Sequence, residues 1–363
     1  MNKKSMLYKT LHKALHMKRP HNSVGTHEFT DWLVSAVPER LWELVFLDDC
    51  GNIHVDARLD VSHRTLFVAH VDTVHKGTGS NSVKKGKTKW MADGSQLGAD
   101  DGAGCAMLMH LLEHEVPGYY IFTQGEECGG IGATFIATEF SEFLRGFDRA
   151  IAFDRRGIDS VITHQGWGRC CSDAFGEALS DALNMNQEFM YSPDNTGVYT
   201  DTAEFVDYIP ECTNISVGYY NEHSDKEYLD IVHFNMLANT VINIDWDGLP
   251  TTRDPKVKDE MYNDSVYYGD WHSGVSSVAG NGAFYDYAMM DLKDAIMDAM
   301  VGMPDFLIDM MAESVYPDDI NLAKNFINDR ALTKDVLDKA MKMTKTYDPD
   351  TVLATVFDMV YKE

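Results

Sequence analysis

The chain has 363 residues, longer than one average domain, so we expect a catalytic domain and a smaller second unit. It carries 31 lysines and arginines against 57 aspartates and glutamates, a formal net charge of −26. Such a surface repels nucleic-acid phosphates and anionic lipid headgroups, which disfavours nucleic acid and membrane as partners.

The N-terminal segment has basic residues spread along it without a continuous apolar run, and no stretch of the chain is apolar for about eighteen residues. We therefore expect an intracellular, cytoplasmic protein. The six cysteines lack CxxC spacing, so we expect them to be reduced, with adjacent Cys170 and Cys171 the candidates for a redox role.

The first half of the chain alternates between helical and strand-like patterns. Residues 28–47 repeat apolar positions near a 3.6 period and predict a helix that is broken near Pro38, and DDCGNIHVDAR then predicts a turn leading into a strand. Short apolar runs and helical stretches follow in turn: RTLFVAHV, CAMLMHLLEH, GYYIFTQ, GATFIATEFSEFL and RAIAFD. This alternation predicts an α/β fold with a mainly parallel, twisted central sheet flanked by helices, because buried parallel strands are apolar throughout and are joined by helices.

The second half predicts the end of this domain and a separate helical unit. Strands are expected at SVITH and CTNISVGY, with the helix DAFGEALSDALN between them and IVHFNMLANTVINID closing a catalytic domain at residues 1–249. Residues 250–283 are polar and glycine-rich and predict a linker. Residues 284–363 predict a small all-helical domain whose many methionines indicate either ordinary core, which we favour, or an adaptable surface for a protein partner or self-association.

The first two polar clusters combine carboxylates with a histidine. LFVAHVDTV ends a strand and places His70 and Asp72 on one face, where the imidazole suits a metal and the carboxylate can orient it. LGADDGAGCAMLMHLL places Asp100 and Asp101 in a glycine-rich turn before a helix. Helix capping explains one of these carboxylates, whereas a metal pair explains both, because one carboxylate can bridge two cations.

Three further clusters repeat this design. GYYIFTQGEECGGIGA brings Glu126 and Glu127 to the end of a buried strand, where they repel each other unless a cation neutralises them or the turn is solvated. Asp154 ends the strand in AIAFDRRG, and His223 follows the strand in SVGYYNEHSDKEYLDI. Ligands collect at the carboxyl ends of strands in open α/β sheets, so the five clusters together predict one metal site.

The ordered motifs AHVDTV, GADDGAG, FTQGEECGGIGA, FDRRG and EHSDKEYLDI resemble those of the cocatalytic dizinc exopeptidases, over about residues 25–246. This superfamily contains peptidase T, acetylornithine deacetylase, carboxypeptidase G and the bacterial leucyl aminopeptidases. The resemblance implies two Zn²⁺ ions, one held by His70, Asp100 and Asp154 and the other by Asp100, Glu127 and His223. It also implies that Asp72 orients His70, that Glu126 is the general base, and that the Asp100–Asp101 peptide is cis. Mn²⁺ or Co²⁺ are possible substitutes.

The chain departs from several of these relatives between Asp154 and His223. Only 68 residues intervene where peptidase T, acetylornithine deacetylase and carboxypeptidase G carry a lid domain, so we expect an open site without a lid. Tyr199 is then a candidate to stabilise the oxyanion, which groups of the lid domain would otherwise stabilise.

Substrate preference depends on the charges around the predicted site. Glu126, Asp154 and Asp201 can attract a free amino terminus, which favours an aminopeptidase or dipeptidase acting on small peptides. Arg155 and Arg156 can instead recognise the carboxylate of an N-acyl amino acid, which a deacylase would cleave, or pair with surface acids, as we favour. A non-enzymatic scaffold that works through the helical C-terminus is the alternative from another class.

Overall fold

The computed structural model describes residues 2–165 and 168–257. The predicted helical domain at 284–363 and most of the predicted linker lie outside these residues, so the proposed division of the chain stays a prediction. The described part of the predicted linker contacts the predicted catalytic domain through hydrogen bonds. Arg253 donates to the carbonyls of Val206, Ile209 and Pro210, and its backbone N–H donates to Glu211.

The described residues form seven α-helices and sixteen strands, several of them very short. The helices are α1 (Met6–Leu15), α2 (Val24–Ala36), α3 (Ala99–Glu113), α4 (Ile131–Glu139), α5 (Ser141–Leu144), α6 (Asp173–Asn184) and α7 (Ile231–Val241). The strands are β1 (Met17–Lys18), β2 (Val45–Leu47), β3 (Ile53–Asp56), β4 (Thr65–His70), β5 (Gly79–Ser80), β6 (Val83–Lys85), β7 (Lys89–Ala92), β8 (Tyr119–Thr123), β9 (Arg149–Arg155), β10 (Ser160–Ile162), β11 (His164–Gln165), β12 (Gly168–Arg169), β13 (Ser192–Asp194), β14 (Glu211–Ser216), β15 (Tyr219–Tyr220) and β16 (Tyr228–Asp230).

The central sheet has eight strands in the order β13-β10-β14-β9-β4-β8-β3-β2. The four inner neighbours β14, β9, β4 and β8 run parallel, whereas β3 and β2 are antiparallel additions at one edge. A smaller antiparallel sheet, β15-β16-β7-β6, lies apart from this order. The expected α/β fold with a mainly parallel central sheet is confirmed.

Helices cover both faces of the central sheet, which explains why its inner strands are apolar throughout. Every residue of β4 and β8 is buried. Alternate residues of β4 join different cores: Phe67 packs in the larger cluster with α1, α2, α3 and α7, whereas Leu66 and Val68 pack in the other with α4 and α5. The polar ends of these strands thus emerge from an apolar support that fixes their positions.

The chain between Asp154 and His223 continues the central sheet. Its strands β10, β13 and β14 extend the sheet at one edge, and α6 connects them. Within residues 155–165 and 168–222 no separate lid domain forms, as the short spacing predicted.

The N-terminal part differs from the sequence prediction in two places. Residues 28–47 do not form one interrupted helix: α2 begins after the cap at Ser23 and ends before Pro38, a 3-10 turn follows, and residues 45–47 form β2 paired with β3. A short apolar run fits either a helix or a strand, and pairing across the Asp48–Gly51 turn decides for a strand. Helix α1 was not predicted, although its apolar face packs against α3.

Two further expectations concern membranes and cysteines. Over the part of the chain that the structure describes, no helix is both long and apolar enough to cross a membrane. All six cysteines are described and none forms a disulfide, which agrees with the expectation that they are reduced.

Candidate dinuclear metal site

Three neighbouring strands bring most of the predicted site residues together. His70 is the last residue of β4, Asp154 lies near the end of β9, and Glu126 and Glu127 form a 3-10 turn shortly after β8. Because these strands are parallel and adjacent in the order β9-β4-β8, their carboxyl ends meet at one edge of the sheet.

Asp100 reaches the same edge from the start of α3. The chain enters this helix through Gly98 in the left-handed conformation, with φ of 73°, and the Asp100–Asp101 peptide is cis, as the family resemblance implied. Oδ1 of Asp100 lies 3.1 Å from Nε2 of His70, and Oδ2 lies 3.1 Å from Nε2 of His223. The two oxygens of one carboxylate therefore face two different imidazoles.

Two groups of three possible ligands share Asp100. In the first, Nε2 of His70 also lies 3.6 Å from Oδ1 of Asp154. In the second, Nε2 of His223 lies 3.0 Å from Oε2 of Glu127. Within each group the ligand atoms lie within 4.8 Å of one another. One imidazole and two carboxylates per group form a donor set that suits zinc and, with so much oxygen, manganese or cobalt.

Glu126 lies between these groups. Its Oε2 is 3.9 Å from Nε2 of His70, and the combination of His70, Glu126 and Glu127 also meets the 4.8 Å limit. Geometry alone thus permits Glu126 to be a ligand or a base, and the distinction needs an experiment.

The ionisable groups of the site are crowded and mostly buried. Burial, followed by the charge of Asp100, raises the pKa of Glu127 to about 7, and burial raises the pKa of Glu126 well above its usual range. Hydrogen bonds to Asp100 and Glu127 raise the pKa of His223 to about 11. One oxygen of Glu127 is buried without a hydrogen-bond partner in the described chain. Carboxylates crowded in this way are stabilised by a bound metal ion, which fits the donor set.

Asp72 makes further contacts besides its approach to His70. Its Oδ1 is 3.6 Å from Nδ1 of His70, longer than a hydrogen bond. Its two oxygens instead accept the backbone N–H groups of Gly125, Glu126 and Glu127 at 2.9, 3.2 and 3.2 Å. Asp72 thus holds the turn that carries both glutamates, and it lies beside the His70 ring that it was predicted to orient.

Asp154 is held in place by three polar neighbours. The hydroxyls of Thr200 and Tyr219 donate to its carboxylate at 2.7 and 3.0 Å, and the Asn214 side chain bonds both its N–H and its carbonyl. These partners satisfy the lone pairs that face away from His70 and fix the carboxylate orientation.

Sequence reasoning missed two buried charged residues that support the site. The carboxylate of Glu227 accepts the backbone N–H groups of residues 97–100, four in a row, at 2.7 to 3.2 Å. The guanidinium of Arg19, which is fully buried, donates to the carbonyls of Val71 and Gly98. Glu227 lies in the recognised motif EHSDKEYLDI, but Arg19 carries no signal beyond a basic N-terminal segment.

An open cavity of about 440 Å³ gives access to the site. Asp100, Glu126, Glu127, Asp154 and His223 line it, together with the candidate substrate contacts Tyr199, Arg155 and Arg156. The predicted contact Asp201 is not among the lining residues. Only 1% of it is exposed, and the Thr123 hydroxyl donates to its carboxylate, so this side chain is held beneath the protein surface and away from the cavity lining.

The other three candidate contacts already have partners in this arrangement. The Tyr199 hydroxyl donates to Glu204 at 3.0 Å, so its proton is directed away from a substrate oxyanion. Arg155 donates to Thr196 and lies 3.6 Å from Asp194, and Arg156 pairs with Glu222 at 3.2 Å. Both guanidinium groups therefore pair with acids, while remaining at the cavity wall.

Comparison with known proteins gives a match in structure only. No family model and no curated protein sequence matches the chain. The aminopeptidase PepT from Bacillus cereus ATCC 10987 superposes with a TM-score of 0.55 and 15% identity, over 67% of this chain and 97% of that one. A tripeptidase from Staphylococcus aureus gives 0.54 and 16% identity over the same shares. The chain thus shares the fold of these two peptidases, which agrees with the fold that its motifs predicted.

Proposed function

We propose that the protein is a zinc-dependent peptidase with two zinc ions, and that it acts as an aminopeptidase or dipeptidase. The observation that carries this proposal is Asp100, whose two oxygens each lie 3.1 Å from a histidine of a different ligand group. A single carboxylate between two imidazoles, each with a further carboxylate, is the arrangement that a pair of cations requires. The fold shared with an aminopeptidase and a tripeptidase supports the same class of reaction.

His70, Asp100 and Asp154 would hold one zinc ion, and Asp100, Glu127 and His223 the other. When bound, the two ions supply Lewis acidity, which polarises a substrate carbonyl and makes water acidic enough to ionise near neutral pH. Glu126 lines the cavity beside both groups, and its raised pKa suits a group that accepts a proton from water and returns it to the departing amine nitrogen.

The charges at the cavity favour a substrate with a free amino terminus. The carboxylates of the lining attract an ammonium group, and Arg155 and Arg156 are engaged with Asp194 and Glu222. Deacylation of an N-acyl amino acid is the second candidate, because both arginines still border the cavity and can exchange an acidic partner for a substrate carboxylate.

A substrate panel separates these activities. Purified protein loaded with zinc is incubated with dipeptides, tripeptides and N-acetyl amino acids, and released amino acids are quantified. We expect release from unblocked peptides. Cleavage of N-acetyl substrates alone would establish the deacylase, and full zinc loading without turnover of any substrate would favour the scaffold alternative.

The Glu126→Gln variant tests the assignment of the base. Glutamine keeps the size of the side chain but cannot accept and return a proton, so we expect turnover to fall by about 10²–10⁴-fold while the zinc content per chain stays equal to that of the wild type. Glu139→Gln, the same change at an exposed position, serves as the control. Loss of zinc from the Glu126 variant, measured by elemental analysis, would make Glu126 a ligand instead.

A further inference from the structure

A second group of metal-ligand side chains lies on the last turn of α3, in the sequence HLLEH. His110, Glu113 and His114 are spaced at i, i+3 and i+4, which places them on one side of the helix. Asp100 lies ten residues before His110 on the same helix, a separation of about 15 Å. This group, called here the α3 C-terminal cluster, is therefore distinct from the dinuclear site.

The ligand atoms of the cluster converge. One atom from each of the three residues lies within 4.8 Å of the others, and Nδ1 of His110 is 4.0 Å from Oε2 of Glu113. Ligands of a tetrahedral zinc ion lie about 3.3 Å apart when the bonds are about 2.0–2.1 Å, so side-chain rotations that bring the ligand atoms about 1–1.5 Å closer together would close the site.

His110 is the observation that points to a ligand. Only 5% of the residue is exposed, and neither ring nitrogen makes a hydrogen bond of normal geometry within the described chain, although burial lowers the pKa of the ring and the nearby Ala238 carbonyl opposes that shift. A buried imidazole without partners forfeits the hydrogen bonds that it makes in water, which is costly unless another group supplies them. A metal ion between His110 and Glu113 supplies such a bond.

The other two side chains are already oriented. Nδ1 of His114 lies 2.9 Å from the carbonyl oxygen of His110, so this nitrogen carries the proton and Nε2 keeps its lone pair for a metal. Oε2 of Glu113 accepts the backbone N–H of Met6 at the start of α1, at 2.9 Å. These are the outer contacts that typically orient metal ligands.

The electrostatic setting favours a cation. The cluster lies at the C-terminal end of a 15-residue helix, where the last carbonyls and the helix dipole present negative charge. The nearby Arg40 donates to the Leu112 carbonyl and pairs with Glu115, which leaves Glu113 to the cluster.

We propose that the α3 C-terminal cluster binds an additional divalent transition-metal ion, of the class of Zn²⁺, Co²⁺, Ni²⁺ or Cu²⁺, through His110, Glu113 and His114. Two imidazoles with one carboxylate select such metals over Mg²⁺ and Ca²⁺, and solvent completes the coordination because His114 is exposed. Through the bond from Met6 to Glu113, the ion would fasten the first turn of α1 to the end of α3.

The chain offers a matched control in α1. His12 and His16 have the same i, i+4 spacing, and Nδ1 of His16 likewise lies 2.8 Å from the His12 carbonyl. The position that corresponds to Glu113 is the buried Leu15, so this pair lacks the carboxylate. A metal ion that binds any pair of histidines at i, i+4 would also bind His12 and His16, whereas an ion that requires the carboxylate as well would not.

Equilibrium dialysis of the full chain against Zn²⁺, followed by elemental analysis, tests the proposal. We expect His114→Ala to bind one ion per chain fewer than the wild type, Glu113→Gln to bind that ion at least about 10-fold more weakly, and His16→Ala to match the wild type. The same difference of one ion between His114→Ala and its parent is expected in a His223→Ala background, which separates the result from the dinuclear site.

Equal zinc content in the wild type and His114→Ala at free Zn²⁺ up to about 10 µM, well above the dissociation constants of structural zinc sites, would overturn the proposal. Loss of an ion from His16→Ala as well would reduce it to general binding by surface histidines and overturn it equally. Because His114 is exposed, its replacement leaves the core intact, and circular dichroism of each variant verifies the fold. Peptide turnover of His114→Ala is expected to equal that of the wild type.

Discussion

Replacing Glu227 with glutamine tests how the turn that carries Asp100 is held. The Glu227 carboxylate is 1% exposed and accepts four consecutive backbone N–H groups, two on each oxygen. Glutamine has the same shape, but one of its oxygens becomes an NH₂ group that cannot accept. Two of the four N–H groups would then face a donor inside the protein.

The expected cost follows from those two donors. A buried donor left without an acceptor costs about 1–3 kcal/mol, so Glu227→Gln should lower the free energy of unfolding by about 2–6 kcal/mol. Burial, followed by the charge of Asp100, raises the pKa of Glu227 to about 7. The measurement therefore belongs at pH 8, where the wild-type side chain is ionised and its four acceptor positions are available.

Urea unfolding followed by tryptophan fluorescence gives the comparison, with zinc removed so that metal binding does not mask the effect. Asp225→Asn makes the same chemical change two residues away at an exposed position and should alter stability by less than about 0.5 kcal/mol. If the two variants were equally stable, the four hydrogen bonds would not hold the turn, and the assigned role of Glu227 would be wrong.

Three further predictions address other buried polar side chains. Asp72→Asn should lower peptide turnover by about 10–100-fold while zinc remains bound, because it weakens the hold on the Glu126–Glu127 turn; unchanged turnover in a kinetic assay would contradict this. Arg19→Met leaves the buried Val71 carbonyl without its Arg19 donor, while the Gly98 carbonyl keeps the Gly102 N–H, and should lower the free energy of unfolding by about 1–3 kcal/mol, against a small effect of Lys18→Met in the same urea assay. Burial lowers the pKa of His233 from 6.5 to about 4, so below pH 6.5 the unfolded chain binds a proton that the folded chain does not, and stability falls as the pH falls toward 4. The stability of the wild type minus that of His233→Phe should therefore fall by about 2 kcal/mol from pH 7.5 to pH 5, and a constant value would argue against a buried neutral imidazole.

The central strands could be predicted because their sequences leave little choice. β4 and β8 are buried along their whole length, so each is a continuous apolar run that ends at a polar residue. The sequence at residues 45–47 is also apolar but short, and only its pairing with β3 makes it a strand. Such pairing depends on the tertiary structure and cannot be predicted from a local pattern.

The site residues also differ in how far the local sequence pattern predicts their position. His70, Glu127 and Asp154 follow apolar strands, so residue pattern alone indicates a common edge of the sheet. Asp100 and His223 lie in turns, where the residue pattern predicted a metal site, and the family resemblance supplied the division of all five ligands between two ions. In the structure Asp100 and His223 come within 3.1 Å of each other, although the sequence separates them by more than a hundred residues.

Glu227 and Arg19 escaped prediction for a different reason. Both are charged and buried, whereas charged residues are mostly exposed, so their residue type alone assigns them to the surface. Their partners are backbone groups of distant turns, at residues 97–100 for Glu227 and at Val71 and Gly98 for Arg19. A hydrogen bond to the backbone places no demand on the identity of the partner residue, so no second position in the sequence reveals it.

Hydrogen bonds from backbone N–H groups to buried carboxylates explain how the turns of a site crowded with carboxylates keep their conformation. The carboxylates of the predicted ligand set repel one another before any cation arrives, so the turns that bear them need support from the rest of the fold. Asp72 fixes the turn of Glu126 and Glu127 through three N–H groups, and Glu227 fixes the turn of Asp100 through four. Each turn is thus held by a buried carboxylate that is not itself a proposed ligand, so these backbone hydrogen bonds support the geometry of the site in addition to any metal that the ligands would bind.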